Sequence, residues 1–232
     1  MDMKKVTRWL RNILIFFFAS TILSVVILKY IPVYITPLML IRAVEQVIDG
    51  KSPVISHEWV PLEDISHNLP QAVMSSEDNL FLKHSGFDLE QIQKAQIEAQ
   101  EGKRQRGAST ISQQTARNVF LWPHRSWIRK GLEAYFTFLI EAIWGKERIM
   151  EVYLNSIEMG DGIYGAKAVA RDKFNTSPDK LTKDQCAYIA VTLPNPLQRD
   201  CAHPTPKMRK MHNTVLKRMN QIDQFPKDVC AK

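Results

Sequence analysis

A mainly α fold, with a single globular domain carried on one N-terminal transmembrane helix, is what the 232-residue sequence predicts. Three observations lead there. An uncharged apolar run fills positions 13–28 behind a basic tail, helix-capping patterns recur between glycine and proline stops, and alternating strand patterns are scarce. The length suits one domain plus an anchor, and 45% hydrophobic residues exclude a disordered chain. The reading divides the chain into a basic cytoplasmic tail (1–12), a membrane anchor (13–31), a membrane-proximal segment (32–58) and the globular domain (59–232).

Lys4, Lys5, Arg8 and Arg11 precede ILIFFFASTILSVVIL. About 20 residues at 1.5 Å each cross a hydrocarbon core of roughly 30 Å, and Lys29 beyond the run can snorkel to the interface. The rival is a cleaved signal peptide, but the run is at the long end for one and no A-x-A-like site follows. Positive charge ahead of the span predicts a cytoplasmic N-terminus and an external domain. Segment 31–41, where Pro32 and Pro37 interrupt regular helix, is expected against the outer membrane face.

The helices then follow in order. Pro70 suits the first turn of one ending near Glu77, and Ser75 with Asp78 matches a capping pattern. Asp88 with Gln91 opens 89–101, which stops at Gly102. Thr110 with Gln113 opens TISQQTARNVFLW, which ends before Pro123. Ser126 caps a long helix terminated by Gly145. A helix over 147–159 stopped by Gly160, a glycine-rich turn GDGIYGA, a helix capped by Thr182 with Gln185, and a last one opened by Thr205 and Pro206 complete the set.

Several chemistries are excluded. The six histidines show neither H-E-x-x-H nor another paired ligand spacing, and G-x-S-x-G and P-loop patterns are absent. Cys186, Cys201 and Cys230 form no C-x-x-C motif. Cys186 reads as a buried small residue; Cys201 and Cys230 are the two that could pair in an oxidising compartment.

The formal net charge of +7 is concentrated rather than diffuse. Positions 103–130 hold seven cations, Lys103, Arg104, Arg106, Arg117, Arg125, Arg129 and Lys130, and no Asp or Glu. Such a window is either a solvated basic face or a site for a polyanionic group. For a domain outside the membrane the anions are lipid headgroups or phosphorylated substrates, not nucleic acid. Next to it, GASTISQQTARN brings Ser109, Thr110, Gln113 and Gln114 to a helix start, where the dipole favours anions. Upstream, SSEDNLFLKHSGFD sets Glu77 and Asp78 beside Phe81, His84, Gly86 and Asp88. By itself that stretch is a capped turn as readily as a catalytic one. Arg129, Lys130 and Glu133 share one helix face. Read as structure they are an exposed ion-pair cluster; read as function, Glu133 and Glu77 face one cleft as the paired carboxylates common in glycosyl chemistry.

Taken together and in this order, the motifs resemble the peptidoglycan glycosyltransferases, the family 51 glycosyltransferases with a lysozyme-like helical fold. The first motif is Glu77-Asp78 through Phe81, His84, Gly86 and Asp88; the second is GASTISQQTARN; the third is RKGLEA from Arg129. KERIMEVYLN from Lys146 and the GDGIYGA region continuing to LPNP are the fourth and fifth. The resemblance implies that Glu77 is the general base on the acceptor 4-hydroxyl of lipid II, with inversion and release of undecaprenyl pyrophosphate. It also implies that Glu133 is a second catalytic-site carboxylate, and that Arg117, Arg125, Arg129 and Lys130 stabilise the leaving pyrophosphate. Asp78, Phe81, His84, Ser109, Thr110, Gln113, Gln114 and Asn118 would organise the cleft and bind sugar. Arg117 stands where the family usually has lysine, keeping the charge but changing its geometry.

The implied partners are lipid II, the growing glycan strand and the membrane, with no nucleic acid and with other cell-wall synthesis or division proteins as further candidates. No cofactor is required, and a divalent cation, magnesium or manganese, is accommodated. No S-x-x-K, S-x-N and K-T-G set is found, so polymerisation without cross-linking is expected. A wall hydrolase, which has no pyrophosphate to neutralise, and a silent membrane-anchored scaffold are the alternatives.

Overall fold

In the computed structural model, residues 3–102, 107, 109–124 and 126–231 are described, and the first element, α1 (Met3–Tyr30), is one unbroken helix of 28 residues. At a rise of 1.5 Å it is about 42 Å long, so it is long and apolar enough to cross a membrane. Most of its large side chains are exposed, but its C-terminal half docks on the domain. Thr21 Oγ1 lies 2.8 Å from the Tyr135 hydroxyl, and the Trp144 indole donates to the Val25 carbonyl at 2.7 Å. Arg148 donates to the carbonyls of Leu28 and Ile31, at 2.7 Å each. A helix end leaves carbonyls without partners, and the guanidinium supplies what the chain beyond Tyr30 does not.

Pro37 does not interrupt a helix but opens one. In α2 (Pro37–Ile48) it occupies the first turn, where its missing N–H is no loss, and Thr36 caps by accepting from Met39 N. The domain follows as α3 (Asn68–Glu77), α4 (Leu89–Gln100), α5 (Ile111–Phe120), α6 (Trp127–Ile143) and α7 (Lys146–Ser156), then α8 (Gly165–Phe174), α9 (Lys183–Thr192) and α10 (Pro206–Met219). The Thr110 and Thr182 capping boxes form with both reciprocal bonds, and Asp88, Ser126 and Thr205 cap as expected. The core is helix on helix. The buried faces of α3 and α10 pack on α9, and α5 lies between α6 and α7, with Phe120 and Phe136 stacked at 4.4 Å.

Three expectations are corrected. Ser75 is not an N-cap: it lies in the last turn of α3, and its hydroxyl donates back to the carbonyls of Gln71 and Ala72. The helix expected over 147–159 ends at Ser156, and its tail becomes β2 (Glu158–Gly160), antiparallel to β3 (Ile163–Tyr164). β3 also pairs in parallel with β1 (Ser56–His57), in the order β1-β3-β2. Strands of two or three residues carry too little alternation to read. GDGIYGA is therefore a hairpin leading into α8, which no capping side chain announces. All three cysteines are free and buried, and burial pushes the thiols of Cys186 and Cys201 up to about 12 and that of Cys230 to about 11.

The start of α8 is pinned by Gly165, at φ +81, where an added Cβ would stand 2.6 Å from the Asn155 carbonyl oxygen. Asn155 cannot give way. Its side chain accepts from Val60 N at 2.9 Å and donates to Val60 O at 2.8 Å, holding the segment just beyond residues 56–57. Gly165→Ala is expected to cost at least about 1–3 kcal/mol, read as a lowered urea midpoint of the detergent-solubilised chain.

Candidate active site

Glu77 is the last residue of α3, and the following residue, Asp78, leaves the helix at φ −158. The two adjacent carboxylates therefore point to different surroundings and do different work.

Asp78 is buried and accepts on both oxygens from His84 Nε2, at 2.9 and 3.0 Å, while its Oδ2 also accepts from the backbone N–H of Ile111 at 2.9 Å. Gly86 N donates to His84 Nδ1 at 3.1 Å, so that nitrogen carries no proton and Nε2 is the donor toward Asp78. Thr110 Oγ1 donates to Gly86 O at 2.7 Å. The end of α3, the turn after it and the start of α5 are thereby one hydrogen-bonded unit. Gly86, at φ +91, fits under α6 because it lacks a side chain; a Cβ would lie 2.8 Å from Thr137 Cγ2.

Glu77 faces a cavity of about 660 Å³. Its Oε2 accepts from Gln114 Nε2 at 3.0 Å, and Gln114 Oε1 in turn accepts from the Tyr153 hydroxyl at 3.3 Å. Tyr153 is fully buried on α7, so it fixes which end of the Gln114 amide meets Glu77. Burial raises the pKa of Glu77 above the ordinary carboxylate value, opposed by hydrogen bonds from Gln114 and Ser76 and by the charge of Arg199. Desolvation wins, which makes this carboxylate a stronger base than a surface one. Burial and the nearby Glu77 charge push the Tyr153 phenol well above its usual value, so it stays a neutral donor.

The cavity wall also holds Asp78, Asp88, Ser109 and Thr110, and Arg117, one turn beyond Gln114 on α5. Arg117 is half-buried, and its guanidinium has no hydrogen bond or ion pair to any described residue. An unpaired cation beside a desolvated base suits a reaction in which a hydroxyl loses a proton and an anionic group departs.

The transglycosylase family model matches residues 45–220, most of the chain. A biosynthetic peptidoglycan transglycosylase of Bacteroides thetaiotaomicron is 58% identical over 226 residues, covering 97% of this chain and 91% of that one. Proteins with the same description from Caulobacter vibrioides and Pseudomonas syringae are 52% identical over 197 residues and 42% over 220. They cover 83% and 95% of this chain, and 83% and 93% of their own. The chain belongs to the transglycosylase family. It is an enzyme, a glycosyltransferase with a mainly helical, lysozyme-like domain behind one long apolar helix.

The remaining residues singled out in this transglycosylase's sequence take other places. Glu133 does not line the cavity with Glu77. It is buried on α6, with Oε2 held by Arg129 Nη1 at 2.6 Å and Oε1 by Lys130 Nζ at 2.5 Å. The cluster is thus buried at its carboxylate rather than an exposed surface pair, and Arg129 and Lys130 are absent from the cavity lining as well. Phe81 is a core side chain under the Lys146 ammonium, 4.6 Å from its ring. Gln113 is buried in its capping box, and Asn118 is buried with its Nδ2 unpartnered among the described residues. His84 acts through Asp78. Arg125, with Lys103, Arg104 and Arg106, lies outside the described residues.

Sequence reasoning missed Tyr153, Ser76, Arg199 and Arg218 as site residues. Tyr153 and Ser76 stood inside quoted motifs without a role, and Arg199, between α9 and α10, and Arg218 come near Glu77 only through the packing of α3, α9 and α10. Among the described residues no three His, Cys, Asp or Glu side chains gather as a metal-binding group.

His84→Ala would leave the Asp78 carboxylate without its side-chain donor. A hydrogen bond to a charged group contributes about 1.5–3 kcal/mol. That loss is expected in thermal unfolding, together with lower turnover as the Glu77–Asp78 turn loosens.

Proposed function

We propose that this transglycosylase polymerises lipid II into linear glycan strands, with Glu77 as general base. The observation that carries the reading is the Glu77 carboxylate: buried enough to be a strengthened base, open to the cavity, and held by Gln114 with the unpaired Arg117 one helical turn away.

In this mechanism the acceptor 4-hydroxyl gives its proton to Glu77 as its oxygen bonds to the anomeric carbon of the growing strand. The bond from that carbon to the diphosphate breaks on the opposite face, giving inversion, and undecaprenyl pyrophosphate departs with the electron pair. Arg117 offers its guanidinium fork to the developing charge. Glu133 orients Arg129 and Lys130, and that trio keeps one net positive charge on α6 for the same anion. Gln113, Asn118 and Phe81 support α5 and the turn from within, while Ser109, Thr110 and Gln114 present polar groups to sugar. A divalent cation, magnesium or manganese, would enter on the diphosphate oxygens rather than in a protein cage.

The basic tail before α1 supports a cytoplasmic N-terminus and a periplasmic catalytic domain at a bacterial inner membrane. A polyprenyl-linked substrate remains in the bilayer, so an anchor that holds the cavity near that surface serves the reaction. With no transpeptidase motif set in the sequence, the product would be polymerised and not cross-linked.

Purified protein should convert lipid II into glycan strands. Glu77→Gln should lower the rate by at least about 10²-fold, the scale of lost general base catalysis, with lipid II binding retained; undiminished polymerisation would remove Glu77 from the role. The pH profile gives an independent check. Because burial raises the Glu77 pKa, the acidic limb of kcat/KM should lie above the range of an exposed carboxylate. The Gln114 bond favours the ionised form, so Gln114→Ala should shift that limb to still higher pH.

A further inference from the structure

Arg218 stands in the last turn of α10 and lines the same cavity as Glu77, on a wall assembled by a different part of the fold. α10 packs on α3 and α9, whereas α5, which carries Arg117, packs on α6 and α7. Like Arg117, Arg218 is half-buried, and its guanidinium has no hydrogen bond or ion pair to any described residue.

The ordinary account of a cation at a helix C-terminus is the helix dipole, worth roughly 0.3–1 kcal/mol near a surface. Its neighbour Lys217 fits that account, being exposed to solvent. Arg218 does not, because it lines a partly desolvated cavity, where guanidinium donors left without acceptors are unfavourable. Nor do the carboxylates Glu77, Asp78 and Asp88 of the lining accept from it. Asp78 is engaged by His84 and Ile111 N, Asp88 by Gln91 N, and Glu77 by Gln114. What the guanidinium lacks is acceptors for its N–H donors, and a planar fork of that kind selects a ligand oxyanion that accepts two parallel hydrogen bonds.

We propose that Arg218 is a substrate-binding residue of this transglycosylase, receiving an oxyanion of the lipid-linked sugar substrate at the part of the cavity that α10 supplies. This rests on the lipid II reading above. Phosphate and stem-peptide carboxylate oxygens of that substrate share the required chemistry. Arg218 therefore contributes to ground-state affinity and register, while Glu77 carries the proton.

The test is steady-state polymerisation of lipid II by full-length wild-type, Arg218→Ala and Arg218→Lys proteins, with thermal unfolding measured alongside. Arg218→Ala should raise KM about tenfold or more, the loss of one charge-assisted contact, with kcat and the unfolding midpoint little changed. Arg218→Lys should recover part of the affinity. Lipid II with its peptide carboxylates converted to amides separates the two sources: wild type and Arg218→Ala converge on it if the oxyanion is a carboxylate, and stay apart if it is a phosphate. An unchanged KM in Arg218→Ala, or a raised KM accompanied by a lowered midpoint that lysine does not repair, overturns the assignment. Failure of the wild type to use lipid II at all would instead overturn the functional reading.

Discussion

The Asp78 carboxylate is where three separate stretches of chain are tied into one surface. It accepts from His84 in the turn, from the first backbone N–H of α5, and it follows directly on Glu77 at the end of α3. Buried carboxylates are tolerated only when their oxygens are satisfied, so the His84 tautomer, the Gly86 N–H that fixes it and the Thr110 bond to Gly86 O are all required by that one burial. The position of the cavity follows from it. With Asp78 turned to His84 and α5, Glu77 meets Gln114.

The contrast between neighbouring carboxylates gives the site its chemistry. Asp78 receives strong donors and serves as a structural anchor, while Glu77 receives one amide donor at 3.0 Å and a distant hydroxyl at 3.5 Å in a desolvated setting. Withholding further donors leaves its charged form under-stabilised, which is what a proton acceptor needs. Tyr153 and Gln114 then act as a rigid relay of orientation rather than of protons, since the deeply buried phenol keeps its hydrogen.

The apolar helix is joined to this machinery instead of trailing from it. Arg148 closes the end of α1, lies 5.0 Å from the Trp59 ring and pairs with Glu151, whose other oxygen accepts from Leu62 N. Because α1 also meets α6 through Tyr135 and Trp144, its orientation is passed to the helix that packs on α5, the carrier of Gln114 and Arg117. A guanidinium that satisfies three partners at once in a partly buried position resists displacement better than a surface ion pair would.

Local patterns determined much of this protein by themselves. The capping residues Asp88, Thr110, Ser126, Thr182 and Thr205 mark helix starts because their side chains bond to backbone N–H groups three positions on, a short-range interaction that any window of sequence contains. The long apolar helix and the ordered motifs were legible for the same reason. Ser75 misled because its hydroxyl bonds back to Gln71 and Ala72 within a helix already running through it, and the 147–159 stretch because its tail leaves the helical period to pair as β2 with β3. Which side chains share the cavity was settled only by the tertiary structure. Glu133 looked like a partner for Glu77, yet its oxygens are consumed on its own helix, whereas Tyr153 and Arg218, still further along the sequence, reach the surroundings of Glu77 through the packing of α7 and α10. Burial, and with it the basicity of Glu77, is a property of that packing and of no single segment.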